Sequence, residues 1–217
     1  MTQQPGPQDP LVISYLDMRT AVGVIGCALP FVLAFGKMLL QGRGIEGSIS
    51  YYYYTDMRGV FVGSLCAMGV FLGSCTGYDR RDAIAGRLAC AFAVGVALFP
   101  TKPYVGATPQ EKIIGAVHLS CAALLFLTLA YFSLVLFTRT DPNKNPTAQK
   151  LQRNTVYRVC GYAILVCIFL ILVDTLPAVN ALVWRLTPVF WLESTAVVSF
   201  GVSWLTKGET ILKDEEA

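Results

Sequence analysis

Ionisable side chains are scarce in this sequence, so the few that interrupt its apolar stretches are the places where chemistry could occur. His118 is the sole histidine and lies well inside one apolar run, Glu193 sits a turn and a half into another, and Asp174 falls within a turn of the end of a third. An imidazole beside a carboxylate can move a proton, which makes His118, Glu193 and Asp174 the candidate catalytic groups. Arg58 opens a fourth run, and its planar guanidinium suits a phosphate. Asp56, Ser48, Ser50, Tyr54 and Lys102 lie in the adjoining loops and complete a candidate ligand-binding set. Charges inside a bilayer are costly unless paired or wetted, so these groups are expected to face one another around a single outward-opening polar pocket. Within it, His118 is expected to bond Glu193, and Arg58 to pair with Asp174 or Asp56.

The chemistry open to such a set is limited by what is missing. Zinc catalysis needs about three nitrogen, sulfur or carboxylate ligands and an open position. With one histidine and no ligand-like spacing, no metal and no cofactor are expected. A Ser/His/acid arrangement can be drawn with Ser48 or Ser50 presented to His118, although no GxSxG elbow occurs. A retinal protein would need a lysine at mid-span, and Lys37 is too close to a helix end. The seven cysteines all fall in apolar runs without CxxC spacing and read as small buried residues. The segment Gly47-Ser48-Ile49-Ser50-Tyr51-Tyr52-Tyr53-Tyr54-Thr55 has two readings. Four consecutive tyrosines suit an interfacial aromatic belt, or the walls of a headgroup pocket above Arg58.

The elements that must position these groups follow from composition. Of 217 residues, 54% are hydrophobic and 14% charged, and the mean hydropathy is +0.55. That is too apolar for a soluble domain, whose charged share is about 25%. Six apolar runs, near 20–41, 57–76, 82–100, 109–138, 154–176 and 187–206, approach the roughly 20 residues a spanning helix needs. The expected fold is therefore all-α: a six-transmembrane-helix bundle forming one integral membrane domain over 1–217. It has a polar tail at 1–18, a cytoplasmic linker at 139–153 and a C-terminal tail at 207–217. The first run is longer than a signal-peptide core and reads as a retained span, kinked at Pro30, with Lys37 snorkelling to an interface. Thr108-Pro109-Gln110-Glu111 is a capping box, Thr187-Pro188 repeats the cap-then-proline start, and Pro177 closes the fifth run.

Lysines and arginines favour the cytoplasmic face. With the N-terminus inside, eleven fall on that side and six on the other, which places both termini in the cytoplasm. The expected location is a cell membrane, with the bacterial inner membrane the specific expectation. The formal charge of +3 is dispersed, so no nucleic-acid partner is expected. Small residues recur every four positions as Gly59, Gly63 and Ala67, and again as Ala85, Ala89, Ala93 and Ala97. Such stripes let backbones approach, either between these two neighbouring helices or across a homo-oligomer interface. The turn around Asp79-Arg80-Arg81-Asp82 is expected to pair its charges internally.

Several motifs carry a resemblance: Ser48-Ile49-Ser50 before the tyrosines, Arg58 through Phe61-Val62-Gly63, Gly77-Tyr78-Asp79, Ala97-Leu98-Phe99-Pro100-Thr101, and His118 followed by Phe126. The pattern resembles uncharacterised bacterial multi-pass membrane proteins. More distantly it is similar to the DRAM/Sfk-type six-helix membrane family. That resemblance implies cytoplasmic termini, a serine-rich first outer loop and a role in lipid handling, and it brings no catalytic residues. The function expected is binding of a membrane lipid or small ligand, or passage of a solute, through the outward polar pocket. The alternative is an outer-leaflet lipid hydrolase or acyltransferase using His118 with an acid.

Overall fold

The computed structural model describes residues 15–42, 44–75, 79–140, 147–208 and 210–211. Among them every regular element is helical. In chain order these are α1 (Tyr15–Gln41), a 3-10 segment (Ile49–Tyr54), α2 (Arg58–Ser74), α3 (Arg80–Leu98) and α4 (Pro109–Tyr131), which runs on into a π-helical turn (Phe132–Leu136). They are followed by α5 (Ala148–Asp174), the short α6 (Pro177–Val183), a 3-10 turn (Trp184–Leu186) and α7 (Pro188–Lys207). Four stretches are long and apolar enough to cross a membrane: Leu16–Gln41, Pro109–Leu136, Ala148–Asp174 and Pro188–Lys207. At 17 residues α2 is apolar but shorter, and α3 carries Arg80, Arg81, Asp82 and Arg87 in its first half. The chain is thus an all-helical membrane protein.

The helix boundaries have local causes. At α4 the expected capping box forms: the Thr108 Oγ1 accepts from the Glu111 N–H at 3.2 Å, and the Glu111 carboxylate accepts from the Thr108 N–H at 2.8 Å. α7 starts at Pro188 with Thr187 at the cap position, as expected, but without a side-chain cap. The Thr187 φ of 48° is left-handed, and its hydroxyl donates to the Leu186 carbonyl at 2.8 Å. The turn out of Trp184–Leu186 requires that conformation, which is unusual for a β-branched residue. α5 ends at Asp174, shortly before Pro177, which also opens α6. That short helix buries none of its residues, and around it Leu176, Leu182, Trp184 and Leu186 stay exposed. α5 begins inside the stretch expected to be linker because Thr147 caps the Lys150 N–H at 3.1 Å. α1 continues as helix through Pro30. Residues 1–14, 141–146 and 212–217, which hold most of the expected tails and part of the expected linker, lie outside the described residues.

Glycine sets the closest helix approaches. On α7, a Cβ at Gly201 would lie 2.7 Å from both the Cys27 amide nitrogen and the Gly23 carbonyl oxygen of α1. The α3 alanines do pack inward, with Ala85, Ala89, Ala93 and Ala97 all buried. Their partners on α2 differ from expectation, however. Gly69 and Gly73 meet Cys90 and Ala93, whereas Gly59 and Gly63 face open space. The inward face of α2 is instead made of Phe61, Leu65, Met68 and Leu72, all buried. At the end of the bundle holding the first helix N-terminus, Trp204 packs edge-on against Phe132, Phe137 and Phe200. Asp79 caps α3 and pairs with Arg139 at 2.8 Å rather than with Arg80 or Arg81. The α3 amides draw its carboxyl to their side of the turn, with the Asp82 amide holding it below its ordinary pKa and Arg139 adding to this.

Candidate functional site

The opposite end of the bundle, roofed by the tyrosine-rich segment, contains the site. Ile49–Tyr54 sinks into the mouth of the helices, with Ile49, Ser50 and Tyr52 buried. Three groups of contacts hold it there. Glu193 on α7 accepts the Ile49 N–H at 2.6 Å, placing a carboxylate at the start of the 3-10 segment where free amides point. The Tyr51 hydroxyl donates to the Lys102 carbonyl at 3.1 Å, and the Tyr54 hydroxyl to the Thr101 carbonyl at 2.6 Å. Behind it Lys37 reaches past the end of α1, forming a 2.7 Å ion pair with Glu46 and donating to the Gly44 carbonyl.

The loop after α3 is drawn in from the other side. Tyr104 stacks on Tyr51 with ring centroids 3.6 Å apart and accepts the Gly47 N–H at 3.1 Å. Desolvation pushes the Tyr104 phenol up to about 12, against the Gly47 bond, with Tyr51 and the acids Glu46 and Glu193 adding to the rise. Gly115 lets this loop sit directly on α4, since a Cβ there would lie 2.8 Å from the Lys102 amide nitrogen.

His118 fastens the three segments together. Its Nδ1 is 2.6 Å from the Phe99 carbonyl at the end of α3, and its Nε2 is 2.9 Å from the Ser50 Oγ. The expected His118–Glu193 bond is absent: each group finds a backbone partner first, and the buried 3-10 segment lies between them. Arg58 does not reach Asp174 or Asp56. Its guanidinium bonds the Tyr53 hydroxyl and lies 4.0 Å from that ring centroid. Asp56 and Arg58 are exposed on the outside of the roof.

Between the roof and helices α4, α5 and α7 lies a cavity of about 860 Å³, within the roughly 300–1,000 Å³ of small-molecule sites. It brings together Ser48, Ser50, Lys102, His118, Asp174 and Glu193 from the expected set, while Asp56, Arg58 and Tyr54 lie outside it. Tyr51, Tyr104, Asn180 and Arg185 also line it. Arg185 and Asn180 follow the end of α5, where no hydrophobic period marks an element, and only the charge of Arg185 signalled them. Asp174 is 8% exposed. One of its carboxylate oxygens, Oδ2, accepts from the Asn180 side chain at 3.2 Å, and the other, Oδ1, is buried without a partner. Leaving such an acceptor unmade costs about 1–3 kcal/mol.

Ser50, Ala122 and Glu193 also border a second, apolar recess of about 40 Å³ running inward between Leu29, Phe61, Met68, Phe126 and Phe200. Ser50, Ala122 and Glu193 thus form a shared wall between the polar cavity and this apolar recess. Among the described residues no three His, Cys, Asp or Glu side chains gather closely enough to share a metal ion. No known protein family, characterised protein or solved structure matches the chain.

Proposed function

We propose that this membrane protein binds the polar end of a phospholipid whose headgroup carries an ammonium or hydroxyl donor. The observation that carries this is Asp174, which lines the 860 Å³ cavity with one carboxylate oxygen held by Asn180 and the other without a partner, so that a turn of the carboxylate offers an acceptor to a ligand donor. Lys102 and Arg185 supply the two cations of the lining, suited to a phosphate. The apolar recess beyond Ser50 suits the start of an acyl chain. In this reading all six long helices cross the bilayer with both termini cytoplasmic, α2 spanning about 25 Å at 1.5 Å per residue, and the roof faces outward. The motif resemblance to the DRAM/Sfk-type family points to the same class of ligand.

The test is binding of a short-chain phosphatidylethanolamine to the purified protein in detergent, compared with the phosphatidylcholine of equal chain length. The ethanolamine lipid is expected to bind more tightly, and Asp174→Asn to weaken it by about tenfold or more, the equivalent of one charged hydrogen bond. Equal binding of the two lipids, unchanged by Asp174→Asn, would overturn the proposal.

A further inference from the structure

The bond between His118 and Ser50 has a direction. A carbonyl oxygen only accepts, so the 2.6 Å contact to Phe99 places the proton of a neutral imidazole on Nδ1. Nε2 is then the acceptor, and the Ser50 hydroxyl donates to it across 2.9 Å. This is the tautomer and geometry in which an imidazole can remove a serine proton. The Phe99 carbonyl orients the ring as a carboxylate does in other serine sites. Ser50 is fixed from the opposite side by Glu193, which holds the amide of the residue before it.

Position supplies the substrate. Ser50 borders both the polar cavity and the apolar recess. In a phospholipid the acyl ester occupies that same boundary between headgroup and chain.

We propose that Ser50 and His118 are the nucleophile and general base of an acyl hydrolase acting on the ester of the phospholipid held in this cavity. The inference rests on the pocket reading above. Ser50 Oγ attacks the acyl carbonyl carbon while its proton passes to His118 Nε2. Collapse of the tetrahedral intermediate breaks the bond to the glycerol oxygen, which takes the proton from Nε2 and leaves as the lysophospholipid alcohol. Water, deprotonated by the same Nε2, then attacks the Ser50 acyl ester, releasing the fatty acid and restoring the serine. No electrons are transferred.

The experiment uses the full chain in detergent with added short-chain phosphatidylethanolamine, with three readouts: phospholipid retained by the protein after washing, released fatty acid, and the residue modified by a fluorophosphonate probe. Expected are phospholipid retention, fatty-acid release and a probe adduct on Ser50. Ser50→Ala should abolish release, and His118→Gln should lower it by about 100-fold or more, as for loss of a general base. The adduct is mapped on the unmutated protein, so the assignment does not depend on a variant that folds. Retention of phospholipid with neither release nor an adduct at Ser50 overturns the catalytic pair and leaves the pocket reading standing. Release that persists in Ser50→Ala overturns the pair as well. Absence of retention, release and adduct together overturns both readings.

Discussion

Gly115→Ala tests how the site is assembled. The added Cβ would lie 2.8 Å from the Lys102 amide nitrogen, 2.9 Å from its Cβ and 3.1 Å from its Cα. Ordinary contact begins near 3.4 Å, and two of the three atoms are backbone, so no side-chain rotation relieves the overlap. The loop must move off α4 by more than half an ångström, about 0.6 Å against the amide nitrogen. Lys102 and Thr101 carry the carbonyls that hold Tyr51 and Tyr54, and Phe99 just before them carries the one that orients His118. Weakening two such bonds at about 1 kcal/mol each gives a loss near 2 kcal/mol, in line with overpacking costs of about 1–3 kcal/mol. For a chain of this size that lowers the melting temperature by about 4–8 °C. The control is Gly63→Ala, where a Cβ meets nothing within 4 Å. Removing a mid-helix glycine there is expected to be neutral or to stabilise by up to about 1 kcal/mol. Thermal unfolding of both variants in the same detergent is the assay. A Gly115→Ala protein that melts with the unmutated chain would refute the argument that this loop is clamped onto α4.

Other expectations follow from single contacts. Glu193→Ala removes the carboxylate that caps Ile49, which should cost about 1.5–3 kcal/mol and increase hydrogen exchange at 49–52; unchanged exchange would show that the segment is held without it. Gly201→Ala forces α7 against α1 backbone at 2.7 Å, and loss of folded protein or a large melting shift is expected by size-exclusion and thermal unfolding. Lys37→Met alone should destabilise by about 3 kcal/mol by stranding Glu46, while adding Glu46→Gln should recover most of that, measured as a double-mutant cycle. The Tyr104 phenol, with its folded pKa raised from 10.0 to about 12, contributes stability fully below pH 10 and loses it as pH rises toward 12. Comparing the ultraviolet titration of Tyr104→Phe with that of the unmutated chain should remove one late-titrating tyrosine.

The parts legible in the sequence were those fixed by neighbours in the chain. The Thr108–Glu111 capping box and the apolar runs are local patterns, and local hydrogen bonds and hydropathy realise them directly. Gathering His118, Asp174 and Glu193 at one end followed from depth along each run, since the rise per residue is fixed. The partners were not legible. Ser50 and His118 are 68 residues apart, and which serine reaches the imidazole depends on how far the roof sinks into the bundle. Likewise, the period of Gly59 and Gly63 reveals a smooth stripe but not the direction it faces, and in the fold Phe61 and Met68 face inward while that stripe faces open space. Charge alone suggested that Arg58 belonged to the pocket, yet the adjacent Tyr53 offers both a hydroxyl and a ring at shorter range than any carboxylate.

Whether the cavity holds a phospholipid headgroup is decided by an electron cryo-microscopy map of the protein in phosphatidylethanolamine nanodiscs, at a resolution that shows headgroups. Headgroup density is expected in the cavity, with a nitrogen or hydroxyl within about 3 Å of an Asp174 carboxylate oxygen and the first acyl carbons at Ser50. A map in which Asp174 closes onto a donor of the protein itself and the cavity holds only water would contradict it.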